Sequence, residues 1–163
     1  MNHIQKQISK LMQTTLFLLS VMLFASCDGG RIFEKNQEMP QSGWAQSNKV
    51  TFDVEIKDPA TPAHFYVNVR NSEGYPYSNL FLFIKTVFPN GKFSNDTLEC
   101  VLADEKGKWL GTGVGDIYDN QIPFKRNVRF PMAGTYRFEI EQGMRTETVP
   151  LIMDVGLRIE KAE

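Results

Sequence analysis

The chain has 163 residues, 42% of them hydrophobic and 23% charged, with a formal net charge of −1. That length favours one domain with a real core. The near balance of charges argues against nucleic acid as a partner, because proteins that bind it are usually strongly basic.

In chain order, the first ten residues carry Lys6 and Lys10 and no acid, and Leu11 to Ala25 is apolar except at Gln13, Thr14, Thr15 and Ser20. A basic start, an apolar run short of the about 20 residues that span a bilayer, and small residues ahead of a cut site describe a secretory signal. Ala25-Ser26-Cys27 refines this reading, since lipoprotein signals place small residues just before a cysteine whose thiol takes diacylglycerol. Phe24 departs from the leucine more usual at its position. Residues 1–26 are therefore expected to be a lipoprotein signal peptide, and Cys27 the lipidated first residue of the mature chain. Several acyl chains such as palmitate, at about 0.8 kcal/mol per buried CH2, make a stable anchor in membrane lipid.

Removing residues 1–26 leaves 137 residues with a net charge of −3. Cys100 is then without a partner in its own chain and reads as a small core residue. Residues 27–48 are glycine-rich and polar, include Pro40 and lack periodicity, so they are expected to form a tether. Ile32, Phe33 and Trp44 could dock it on the side of the domain. The domain itself is expected over residues 49–163.

Val50, Phe52, Val54 and Ile56 alternate with polar residues, as do Phe65, Val67 and Val69, which is the period of a half-buried strand. Leu80 to Ile84 is apolar on both faces and is expected to be a central strand covered from two sides. Pro89-Asn90-Gly91 marks a tight turn, with residues 92–102 returning as the hairpin partner. Later strands are expected at 123–130, Thr135 to Gln142 and Val155 to Glu160. About seven or eight short strands without a convincing helix indicate an all-β fold, a single antiparallel β-sandwich of jelly-roll or immunoglobulin-like kind. A small barrel is the alternative.

Chemistry-bearing patterns are sparse. Gly111-Thr112-Gly113-Val114-Gly115 looks like a phosphate cradle, but its third glycine comes one residue too early for the dinucleotide fingerprint and no helix pattern follows. The glycines fit better with a bulge or a close backbone approach. Asp116, Asp119 and Asn120 could supply oxygen ligands to calcium, though three side chains fall short of the six to eight oxygens usually required. His64 is the only histidine of the mature chain, which rules out a multi-histidine zinc site. No catalytic residue is assigned and no cofactor beyond that weak calcium option is expected. Tyr75, Tyr77, Trp109 and Tyr118 lie in or beside loops, where aromatic rings can anchor a protein partner or stack on sugars. Asp96-Thr97-Leu98 matches a short acceptor motif for O-linked glycans in exported proteins of Bacteroidetes, with Thr97 as the acceptor.

Several strings stand in order along the mature chain: YPYSNLFLFI at 75–84, FPNG at 88–91, DTLEC at 96–100, GKWLG at 107–111, GDIYDN at 115–120 and DVGLRIE at 154–160. In number and order they resemble the GldH family of gliding-motility lipoproteins of Bacteroidetes. The resemblance implies a non-enzymatic envelope lipoprotein that works with the type IX secretion machinery by docking to other motility or secretion proteins. It supplies no catalytic residue. Cys27-Asp28-Gly29-Gly30-Arg31 lacks the acidic run of surface-exported lipoproteins, so the periplasmic face of the outer membrane is the expected location. A membrane-tethered glycan-binding module is the alternative function. A hydrolase using Asp116 or Asp119 comes third, and it requires both carboxylates in one cleft.

Overall fold

The computed structural model describes residues 30–162, so the signal peptide and Cys27 lie outside the described residues. Alternating apolar positions produce eleven strands: β1 (Arg31–Glu38), β2 (Trp44–Ala45), β3 (Val50–Ile56), β4 (Ala63–Ser72), β5 (Asn79–Val87), β6 (Phe93–Val101), β7 (Thr112–Val114), β8 (Ile117–Val128), β9 (Gly134–Gln142), β10 (Thr148–Val149) and β11 (Ile152–Lys161). All ladders are antiparallel, in a five-stranded sheet of order β1-β11-β4-β8-β7 and a four-stranded sheet of order β3-β9-β5-β6. A two-stranded ladder, β10-β2, stands beside them. The fold is the expected β-sandwich.

The core lies between the two larger sheets. Val50, Phe52, Val54 and Ile56 of β3 face Phe65, Val67 and Val69 of β4 and Val155, Leu157 and Ile159 of β11, all buried. Phe65 bridges the layers, its ring 6.1 Å from Phe138 of β9 and 5.3 Å from Phe130. Burying each such side chain contributes about 1.5–3 kcal/mol, which makes this seam the main source of stability.

Three expectations need correction. The tether assigned to residues 27–48 is largely folded: β1 pairs along β11 from Arg31 to Glu38, and Trp44 is fully buried. The pattern was hidden because β1 is a largely polar edge strand: after Ile32 and Phe33 it reads Glu34 to Glu38 with no apolar residue, and its register slips between Arg31 and Phe33. The late strand begins at Ile117 rather than residue 123 and ends at Val128. Pro123 is tolerated within it because β7 pairs only with Ile117 to Asp119, which leaves that stretch on a sheet edge. Finally, β5 lies inside its sheet but is not covered on both faces, since Leu80, Leu82 and Ile84 are buried while Phe83 is 51% exposed.

Candidate functional site

The loops at one end of the sandwich bring the four expected aromatic residues into one row. Tyr75 lies in the β4–β5 turn, where its N–H donates to Ser72 O and its hydroxyl donates to Asn79 O at 3.0 Å. It is buried, and burial pushes its hydroxyl well above the usual tyrosine range. Trp109 comes from the β6–β7 connection, which folds as a small hairpin. The Asp104 carboxylate accepts from the N–H groups of Lys106 and Lys108 at 2.9 Å each, and Ala103 bridges Trp109. Tyr118 is on β8, opposite Asn71 and Gly113.

Ring centroids run Tyr77–Tyr75 at 5.6 Å, Tyr75–Trp109 at 6.3 Å and Trp109–Tyr118 at 5.7 Å, the last pair tilted by only 31°. Tyr75 is the buried middle, while Tyr77, Trp109 and Tyr118 are half-buried. The row thus closes the end of the core and also presents aromatic edges outward. The glycines of the 111–115 stretch make this possible. A Cβ on Gly113 would stand 2.2 Å from Ile117 O and 3.1 Å from the Tyr118 ring, and one on Gly111 would meet Asn120 Oδ1 and Asp119 O at 2.8 Å each. Close backbone approach is therefore the role of Gly111 and Gly113, while Gly115 holds the positive φ of 73° that the β7–β8 turn needs.

The outer face of the five-stranded sheet carries a trough that sequence spacing did not reveal. It consists of two open hollows of about 730 and 900 Å3 that share Arg70, Thr112, Asp119 and Asp154. Arg70 lies at its centre, donating to Asp119 at 2.6 and 3.4 Å and to Asp154 at 3.0 Å. One half sets Glu34, Asn36, Asn68 and Gln121 beside Val101, Leu110 and Ile122, and the Oδ1 of Asn68 is buried without a hydrogen-bond partner among the described residues. The other half sets Met39, Val114, Ile117, Leu151 and Met153 beside Glu38 and Asp116. Leu151 holds a positive φ of 58°, costly for leucine, and its residue is 46% exposed. The only sign of the trough in the sequence is charge at outward strand positions. Nothing in the spacing of residues 70, 119 and 154 joins them, because β4, β8 and β11 meet only through the fold.

The calcium option does not come together. Asp119 and Asn120 are consecutive on a strand and so point to opposite faces. Asp119 engages Arg70, whereas buried Asn120 donates its amide to Asn71 Oδ1 at 2.9 Å and to Val69 O at 3.2 Å. Asp116 stands exposed in the two-residue turn between β7 and β8. Asp116 and Asp119 do line the same hollow, but Asp119 is already occupied as the acceptor of Arg70. His64 is half-buried and accepts the N–H of Asn127 on Nδ1 at 3.1 Å. Thr97 is exposed in the middle of β6, while neighbouring Asp96 turns towards Lys125 of β8 at 2.7 Å. Cys100 is fully buried and its thiol is pushed up to about 12 by burial first, then by nearby Glu99.

A profile of the GldH lipoprotein family matches residues 31–159, from the first residue of β1 into the last strand. Two relatives are similar over almost their whole length. The "Gliding motility lipoprotein GldH homolog" of Christiangramia forsetii is 35% identical over 155 residues, covering 91% of this chain and 94% of the relative. The "Gliding motility lipoprotein GldH" of Flavobacterium johnsoniae is 34% identical over 155 residues, covering 91% and 96%. The match takes in the aromatic row, the trough and every strand of both large sheets, and the chain belongs to the GldH lipoprotein family.

Proposed function

We propose that this protein is a non-enzymatic envelope lipoprotein of the gliding-motility apparatus, anchored through Cys27 on the periplasmic face of the outer membrane. It acts by docking to protein components of that apparatus and of the type IX secretion machinery. The observation that carries the reading is the family match across the entire folded domain, with relatives named for gliding motility. The geometry supports docking in two ways. Aromatic edges of Tyr77, Trp109 and Tyr118 cluster at one end, and rings of this kind dominate binding hot spots. Beside them, the trough offers an ion-paired centre with an apolar margin.

The test is crosslinking and pull-down from native membranes with wild type, Tyr118→Ala and Trp109→Ala, each checked for folding. Recovery of motility or secretion components by wild type, reduced at least tenfold in a folded variant, supports the reading. Failure of wild type to recover any such component overturns it. Glycan binding is the second reading, favoured by the shallow tilt between the Trp109 and Tyr118 rings. A glycan array on the folded protein decides it, and loss of signal in Trp109→Ala is the result expected. An O-linked glycan carried on exposed Thr97 is a separate proposal, from the Asp96-Thr97-Leu98 motif, and would appear in the intact mass of protein from its native host.

A further inference from the structure

The strands place all membrane-proximal loops at one end of the sandwich. Gly30 sits there, its carbonyl accepting the Lys161 N–H at 2.8 Å, and Cys27 lies three residues before it. The same end holds the β3–β4 loop (57–62), the β5–β6 turn (88–92) and the β8–β9 loop (129–133). The pairings Arg31–Glu160, Lys161–Ala63, Ala63–Val128, Ile56–Gly134 and Val87–Phe93 all fall there. A Cβ on Gly134 would meet Pro89 at 2.9 Å, so the β5–β6 turn packs tightly on the start of β9 at this end.

This end is cationic. Lys57, Lys92, Arg126, Arg129 and Lys161 are all exposed there and form no ion pair among the described residues. The acids at this end are fewer. Asp58 is turned onto its own loop, accepting from Thr61 Oγ1 at 2.6 Å and Ala60 N at 3.0 Å, bonds that hold its carboxyl low with help from nearby Lys161. Glu160 pairs with Arg158, and Glu55 is exposed one residue inside the end of β3. At the opposite end, Glu73, Asp104, Glu105, Asp116 and Glu147 outnumber Lys106, Lys108 and Arg145. A protein with excess acid overall thus gathers unpaired base at the end from which its anchor leaves.

We propose that this cationic end is a docking surface for the anionic headgroups of the membrane that holds the lipid anchor. The proposal rests on lipidation at Cys27. Three extended residues reach about 10 Å, so the loops are held within about one Debye length of the headgroups. At that range each Lys or Arg strengthens contact with an anionic surface about fivefold. Anchor and patch together fix the domain end-on. The aromatic row then lies at the far end, about 30 Å away along the ten residues of β4, where a partner can reach it.

The experiment uses the full lipidated protein in vesicles of phosphatidylcholine, with or without phosphatidylglycerol. A fluorophore is placed at Ala60→Cys or, as a control, at Glu105→Cys, and a quencher is attached to the lipid headgroup. Buried Cys100 does not take the label. Quenching at residue 60 is expected to exceed the level that the anchor alone gives in neutral vesicles when phosphatidylglycerol is present, and that excess is lost when salt is raised from about 0.1 M to about 1 M. The triple variant Lys57→Gln, Arg126→Gln, Arg129→Gln should shift the docked-to-free ratio about a hundredfold, with no change at residue 105. Equal quenching in neutral vesicles, or no salt effect, overturns the patch while leaving the anchor intact. Release of the protein from all vesicles overturns the anchor, and the patch with it. Should the triple variant fail to fold, the salt series on the wild-type surface decides alone.

Discussion

Trp44 shows how much one residue can contribute outside the regular sheets. Its ring is fully buried, its Nε1 donates to Asn48 O at 2.7 Å, and its strand pairs with Thr148 and Val149. Gly43, at a φ of 102°, lets the chain pass so close that a Cβ would stand 2.7 Å from Thr148. Trp44→Ala should therefore cost about 3–5 kcal/mol, read as a lower denaturation midpoint in urea. A loss below about 1 kcal/mol would mean that this corner is not part of the core. Cys100 makes a second prediction at this scale. With its thiol buried and pushed up to about 12, it should resist a thiol reagent in the folded protein and react on unfolding. Rapid native labelling would contradict the packing of β6.

At the scale of elements, β1 is an edge strand held partly by charge. Glu34 accepts from Arg31 at 2.6 Å and from Arg158 of β11 at 2.7 Å. Desolvation alone would raise the Glu34 carboxyl, but the two guanidinium groups outweigh it and hold the carboxyl below its usual value. A group lowered in this way stabilises the fold above its unfolded-state pKa, and that contribution is lost as pH falls through the folded-state value. Acid should therefore loosen β1 from β11, lowering the thermal midpoint between about pH 5 and about pH 3. Glu34→Gln should flatten that part of the curve, and an unchanged slope would assign the acid sensitivity elsewhere. On the other sheet, β6 is an edge that could pair with another chain. Its inward Asp96, bonded to Lys125 across the opening of the sandwich, places a charge where such pairing would bury it.

For the whole molecule, the proposed docking trough includes a bent segment of backbone at Leu151. Leu151 keeps a left-handed backbone although glycine would hold it more cheaply, and its carbonyl still accepts the Ser72 N–H at 3.0 Å. Leu151→Gly should leave the fold no less stable, gaining up to about 1 kcal/mol despite the loss of a leucine. It should also weaken capture of the docking partner by removing an apolar side chain from the trough. A variant that loses more than about 1 kcal/mol, or that binds as well as wild type, would show that the strained leucine serves packing alone.

The β-sandwich, the Pro89–Gly91 hairpin and the inner rows of β3, β4, β9 and β11 were legible in the sequence because strand alternation is a local property. The family strings were legible too, for they need only order along the chain. The fold of residues 31–48 was not legible, since β1 is polar from Glu34 to Glu38 and β2 is only two residues long. Nor was the exposed face of β5, because an apolar run cannot say which of its sides is covered. The aromatic residues were visible singly, but their joining into one row depended on loops that turn together at one end. The Arg70–Asp119–Asp154 centre depended on three strands distant in sequence lying side by side, and the cationic end on which loops share the anchor's side. Local periodicity decides which residues face inward; only the order and direction of the strands decides which outward residues become neighbours.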